Sequence, residues 1–161
     1  MTIETLDDLF LHTLKDVLYT ERKILKVLPK MERKATDPKL KAALSSHCDE
    51  TETHVIRLEE VFKGLGKAAR GAKCDAMVGL IDEADGLTAE IDDTGTMDAA
   101  LISLAQAVEH YEIARYGTLV AWAKQLGYPQ AADLLNETLK EECGADKALS
   151  QLAEERLNAA A

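Results

Sequence analysis

The chain has 161 residues and a formal net charge of −10, with 47% hydrophobic but only 4% aromatic residues. That length fits one domain with a real core, the aromatic-poor, alanine- and leucine-rich composition favours helices over a β-rich fold, and the excess of acid argues against nucleic acid as a partner. Cys48, Cys74 and Cys143 are odd in number and make no C-x-x-C, so a reducing cytoplasm is expected rather than a disulfide framework. The opening MTIETLDDLF has no basic start, and no stretch is long and apolar enough to span a bilayer, so neither a signal peptide nor a membrane partner is expected.

The first helix is predicted from about Thr5 to Ala35, with Thr5 as N-cap and Asp8 three residues on. Pro29 falls late in it and should kink it or expose its last turn. TDPKL restarts the chain, with Asp37 as cap and Pro38 at the first helical position. The second helix runs to about Lys63 and ends at GLGKAARG, a connector without phosphate-loop spacing. A shorter helix is predicted over about Asp75–Glu90, weakened by Gly79 and Gly86, before the break DDTGTMD. The third long helix covers about Met97–Gln125 and stops at Gly127. GYPQAAD then restarts the chain, and the fourth long helix runs from about Pro129 to Leu157, after which NAAA should fray. The layout is two long hairpins joined by about thirty residues, too long for a turn between antiparallel neighbours. An all-α antiparallel four-helix bundle with one long crossover, carrying the additional short helix, fits it.

Carboxylates interrupt the apolar stripes. Glu21 lies within Phe10, Leu14, Val17, Leu18, Ile24, Leu25 and Leu28 of the first helix. His47, Glu50 and His54 interrupt the stripe of Leu40, Ala43, Leu58, Val61 and Leu65. Glu109, Glu112 and Tyr116 fall among Ile102, Ala105, Ile113 and Val120, and Glu141 among Leu134, Ala145, Leu149 and Leu152, with Thr138 close by. Glu50 follows Glu21 by 29 residues, and Glu141 follows Glu112 by the same 29, as a pseudo-twofold site requires. Carboxylates converging in a dry core repel one another and are driven to protonate. A divalent or trivalent metal removes that cost, and oxygen-rich sites with imidazole suit iron or manganese.

YTERKIL, HCDETETHVIRLEEVF, KCDAMVGLIDEA, AVEHYEIARYGTL and LLNETLKEE, in that order, resemble the YciE/YciF-like branch of the ferritin-like superfamily over nearly the whole chain. The resemblance implies a ferritin-like bundle, a homodimer, a stress association, and a rubrerythrin-like dinuclear centre of two metal ions, iron first and manganese as the alternative. It implies Glu21, Glu50, Glu109, Glu112 and Glu141 as carboxylate ligands. Ferritin-like sites carry Glu-x-x-His on two helices, whereas here Thr53 follows Glu50 by three and Gly144 follows Glu141 by three. The imidazole must come from His47 or His54, and His47 is preferred because H-x-x-E is the spacing associated with this branch.

Other residues read more plainly. His110 points about 100° from Glu109 and is not expected at the metal. Tyr116 is on the metal face but reads as core, and Glu137 and Glu142 read as a solvated helix face. Met77, Leu80 and Ile81 of the short helix suggest an exposed apolar patch that could serve a dimer. Two functions remain open. One is a redox metalloprotein reacting with peroxide or O₂ and fed by an external electron donor, since no cysteine cluster is present. The other is a non-catalytic stress or interaction protein whose metal site is structural or vestigial.

Overall fold

A computed structural model describes residues 2–161. Its helices are α1 (Leu6–Lys34), α2 (Pro38–Gly64), α3 (Asp75–Ala89), α4 (Thr94–Gln125) and α5 (Pro129–Leu152), the last continuing through a π-helical turn, Ala153–Leu157. No strand occurs among the described residues. Local chemistry sets the ends. Thr5 and Asp8 close a reciprocal capping box, Asp8 N donating to Thr5 Oγ1 at 3.1 Å and Thr5 N to Asp8 Oδ2 at 3.0 Å. Asp37 accepts from the backbone N–H groups of Lys39 and Leu40, with Pro38 opening α2. Gly66 and Gly127 adopt φ of 66° and 76° just past the ends of α2 and α4, a conformation cheap only for glycine.

α1 ends at Lys34, within a residue of the expected end, and runs through Pro29. One boundary expectation shifts. α4 begins at Thr94, earlier than expected, because Asp93 accepts from Thr96 N and so caps the glycine-containing turn that reads as a break in sequence.

The four long helices make a bundle in which α1 pairs with α2 and α4 with α5, while α1 also packs on α4 and α2 on α5. Two apolar clusters fill its ends. One joins Phe10, Leu14 and Leu18 of α1 to Leu58 and Phe62 of α2, Leu119 and Ala123 of α4, and Leu135 of α5. The other joins Ile24, Leu28 and Met31 of α1 to Leu40 and Leu44 of α2, Leu101 and Ile102 of α4, and Leu149 of α5. The start of α1 thus meets the ends of α2 and α4, so α1 is antiparallel to both, and α2 runs parallel to α4. That direction demands a connection along the whole bundle, which residues 65–93 with α3 supply.

The crossover is tied down. Ala72 N donates to Lys15 O at 3.0 Å, and a Cβ on Gly71 would lie 3.0 Å from Tyr19 N, so a side chain there would push the crossover segment off α1. Met77 is fully buried, and Leu80 and Ile81 pack against the second apolar cluster, so the apolar patch expected on the short helix is spent inside the protein, against α4. At the same end Asp98 of α4 is buried and accepts three bonds, from Thr36 N (2.7 Å), Thr36 Oγ1 (2.6 Å) and Asp37 N (2.9 Å), clamping the α1–α2 turn. No helix among the described residues is long and apolar enough to cross a membrane.

Candidate metal centre

Between the apolar clusters lies a polar layer. Glu21 of α1, His47, Thr51 and His54 of α2, Glu109, Glu112 and Tyr116 of α4, and Thr138 and Glu142 of α5 are all buried. Helical spacing explains the set: His47, Thr51, His54 and Leu58 recur at intervals of four, three and four, as do Leu135, Thr138 and Glu142 at three and four. Antiparallel packing then brings the mid-helix positions to one level.

Six of these side chains form two groups that share Glu142. His47, Glu109, Glu112 and Glu142 make the first, and Glu21, His54 and Glu142 the second; within each, the ligand atoms lie within 4.8 Å of one another. His47 Nε2 is 3.0 Å from Glu109 Oε1 and 3.7 Å from Glu142 Oε2. His54 Nδ1 is 3.1 Å from Glu142 Oε1 and 3.6 Å from Glu21 Oε1. The hairpins contribute equally: Glu21, His47 and His54 from α1 and α2, and Glu109, Glu112 and Glu142 from α4 and α5.

The donor set fits a metal better than it fits a hydrogen-bonded polar core. Glu21 Oε2, Glu109 Oε2, both oxygens of Glu112, Glu142 Oε2 and His47 Nδ1 are buried without a hydrogen-bond partner, and His54 Nδ1 and Glu142 Oε1, 3.1 Å apart, meet as an ion pair without hydrogen-bond alignment. Unpaired buried polar atoms are costly, and buried charges are normally paired or bound to metal. Burial drives the pKa of Glu112 well above the ordinary carboxylate range, reinforced by the charges of Glu142, Glu21 and Glu109. Glu142 is pushed up to about 8, by burial and the Glu21 and Glu109 carboxylates, although His54 opposes. Burial disfavours charge on the imidazoles, but the carboxylates win: His47 is pushed up to about 9 by Glu109 and Glu142, and His54 to about 10 by Glu142 and Glu21. The metal-free layer therefore holds protons where a metal would otherwise sit, and carboxylate with imidazole is the chemistry of iron and manganese sites.

The arrangement differs from the sequence expectation at two carboxylates. Glu50 lies outside both groups: its side chain is 42% exposed, with Oε2 3.7 Å from His47 Nδ1 on the side facing away from Glu109. Glu141 is also outside, its side chain 35% exposed, accepting from Arg57 Nη2 at 2.9 Å and paired with His54 Nε2 at 2.9 Å. Arg57 holds the Glu141 carboxyl below its ordinary pKa. Glu142, which reads as a solvated residue in sequence, is fully buried and takes the inward position, because α5 is phased one residue on from the stripe of Leu134 and Glu141. Both histidines of α2 are inside, not one. The signal for this was the spacing of Leu135, Thr138, Glu142 and Leu149, which is as helical as the stripe chosen.

Thr51 stands three before His54, where a Glu-x-x-His motif would place glutamate; its hydroxyl donates to His47 O at 2.8 Å. Tyr116 is fully buried and its hydroxyl donates to Glu21 Oε1, so it is a partner of the centre as well as core. His110 faces out, 3.2 Å from Asp146. Cys48, Cys74 and Cys143 are free thiols.

Known proteins resemble this chain along its length. The model of a family described as a domain of unknown function, DUF892, matches residues 5–161. Protein YciF of Escherichia coli K12 is 41% identical over 159 residues, 98% of this chain and 96% of that one. The crystal structure of the E. coli stress protein YciF matches with a TM-score of 0.91 over 97% of this chain and 99% of that chain. A Rhodopseudomonas palustris protein, YcfI, described as structural, is 49% identical with a TM-score of 0.91, over 92% of this chain and 94% of that one. The fold recurs in a two-domain Anabaena variabilis protein with DJ-1/ThiJ/PfpI-like and ferritin-like domains, at 23% identity and a TM-score of 0.68, covering 97% of this chain and 39% of that chain.

Proposed function

The chain belongs to the DUF892 family, and on that footing we propose that it is a stress-associated ferritin-like protein whose bundle core holds two metal ions, iron first and manganese second. One observation carries the reading: six buried side chains on four helices converge at mid-bundle with unpartnered donor atoms, and Glu142 belongs to both groups. The two oxygens of Glu142 face different histidines, Oε2 toward His47 and Oε1 toward His54, so it would serve both ions. The stress description of the YciF relative supports the biological setting.

Glu21, His47, His54, Glu109, Glu112 and Glu142 would hold the ions, and iron or manganese there would supply one-electron chemistry toward peroxide or dioxygen. The chain's residues position and tune the site. Tyr116 donates to Glu21 Oε1 and leaves Oε2 free to ligate. Arg57 keeps Glu141 ionised, so Glu141 accepts from His54 Nε2–H and the lone pair is left on Nδ1, the nitrogen that faces Glu21 and Glu142. The end clusters exclude water from above and below the layer. No cysteine cluster accompanies the centre, so electrons come from an external donor.

The second reading is a metal site that stabilises without turning over. The structural description of YcfI favours it, and a ligand bound only by the native state stabilises that state. Elemental analysis of purified protein beside Glu112→Ala and Glu142→Ala, followed by peroxide consumption, separates the two. Two ions per chain, lost in both variants together with peroxide turnover, supports the redox reading. Two ions and no turnover supports the structural one, and no metal in the wild type after Fe(II) or Mn(II) addition overturns both.

A further inference from the structure

The polar layer is not sealed evenly. A cavity of about 240 Å³ lies between α2 and α5 and reaches down to α4. Its floor is formed by His47 and Glu109, both buried, with His47 Nδ1 and Glu109 Oε2 unpartnered. Its walls include the short side chains of Ala43, Ala105 and Ala145, and its rim carries two carboxylates, Glu50 and the Arg57-paired Glu141, with the exposed Ser46 and Ala148. The other void that touches His47 and Glu109 measures about 20 Å³, room for about one water, and is closed by Ile24, Leu28, Met31 and Met77. His54 and Glu21 are fully buried, and Glu141, paired with Arg57 and 2.9 Å from His54 Nε2, lines the same cavity.

We propose that this cavity is the route by which a divalent cation reaches the candidate centre, with Glu50 as the carboxylate that meets the ion at the rim and His47 as the first group inside. The proposal rests on the metal reading above and adds direction to it. Glu50 is suited to the task because it is half-exposed, lies 3.7 Å from His47 Nδ1, and makes no other ion pair among the described residues. A rim carboxylate raises the local cation concentration, and walls of alanine leave the passage open without a moving lid. The order of filling follows: the group of His47, Glu109, Glu112 and Glu142 loads first, and Glu142, common to both groups, lies on the way to the second.

The test is stopped-flow uptake of Co(II), followed by its visible absorption, on metal-free full-length protein. Ala145→Leu fills the passage and Glu50→Gln removes the rim charge, while Glu60→Gln removes a charge from an exposed position elsewhere on α2. Expected is uptake slowed about tenfold in Ala145→Leu and severalfold in Glu50→Gln, with the same final Co(II) per chain and no change in Glu60→Gln. Uptake at the wild-type rate in both Ala145→Leu and Glu50→Gln overturns the route and leaves the metal centre standing. No Co(II) uptake by the wild-type chain overturns both. Because Glu50→Gln changes only a half-exposed side chain, it keeps the test decisive even if Ala145→Leu folds poorly.

Discussion

The two histidines of α2 are backed in the same way but to different tightness. Behind His54 stands Glu141, 2.9 Å away and itself held by Arg57; behind His47 stands Glu50, at 3.7 Å and held by nothing charged but the imidazole. His54 itself is fully buried, with Glu141 between it and the α2–α5 cavity, whereas His47 forms part of the cavity floor. The candidate centre thus has a clamped half at His54 and a more loosely paired half at His47. A carboxylate or a basic clamp behind an imidazole fixes its tautomer and orientation, so an ion at the clamped half would be held more firmly than one at the looser half.

The largest effect should come from the residue both halves share. Glu142→Ala is expected to abolish metal content altogether, whereas His47→Ala or His54→Ala should each halve it. Equal loss in all three, measured by elemental analysis, would break the division into two groups. Removing a carboxyl that must either bury its charge or take up a proton on folding should also stabilise the empty protein. Metal-free Glu112→Gln is expected to exceed metal-free wild type by about 1 kcal/mol or more at pH 8 in denaturant titration, because burial raises the Glu112 pKa and the amide has no ionisation to give up on folding.

Next in size is pH. Glu142 stands at about 8 in the folded chain against an ordinary 4.5, and His47 and His54 at about 9 and 10 against 6.5. All three are raised, so the native state binds more protons than the unfolded one and stability falls as pH rises. The Glu142 contribution is lost between about 4.5 and 8, and the histidine contributions between about 6.5 and 10. Thermal unfolding of the metal-free chain should show this decline. Cation affinity should rise over the same window as protons leave the donors, so the loaded protein should not decline with it. A flat profile for the metal-free chain would mean that the layer does not store protons.

The smallest effect sharpens the difference between the halves. Arg57→Ala should change stability by less than about 1 kcal/mol, since the Glu141 partner is partly exposed. It should nonetheless speed the release of metal to a chelator by loosening His54. Unchanged release would show that the clamp at His54 is structural only.

How far the sequence reveals this can be followed residue by residue. The helices and their hairpin order were legible because the caps are strong and local: Thr5 with Asp8, Asp37 with Pro38, Gly127 after α4. Glu21, Glu109 and Glu112 were legible because unambiguous apolar residues flank them at helical spacing. α5 was not, because Glu141 and Glu142 are adjacent and the leucines on either side of them, Leu134, Leu135, Leu149 and Leu152, serve both phases. Glu50 misled for the same reason, standing one position off the line of His47, Thr51 and His54 in a helix whose middle has no large apolar residue to set the phase. The role of Tyr116 needed the partner across the bundle, Glu21, which lies 95 residues away in sequence. The apolar face of α3 looked unpartnered only because the chain does not announce that its crossover folds back onto α4.

The even division of donors between the hairpins has a consequence for cohesion. Three come from α1 and α2, three from α4 and α5, and the covalent link between them is the crossover of residues 65–93. Neither half owns a complete donor set, so a metal held there would work as a reversible staple between two pieces of one polypeptide. A chain nicked at the exposed Arg70 should keep its halves together when loaded, and come apart more readily once stripped, as a two-part clasp does when its pin is drawn.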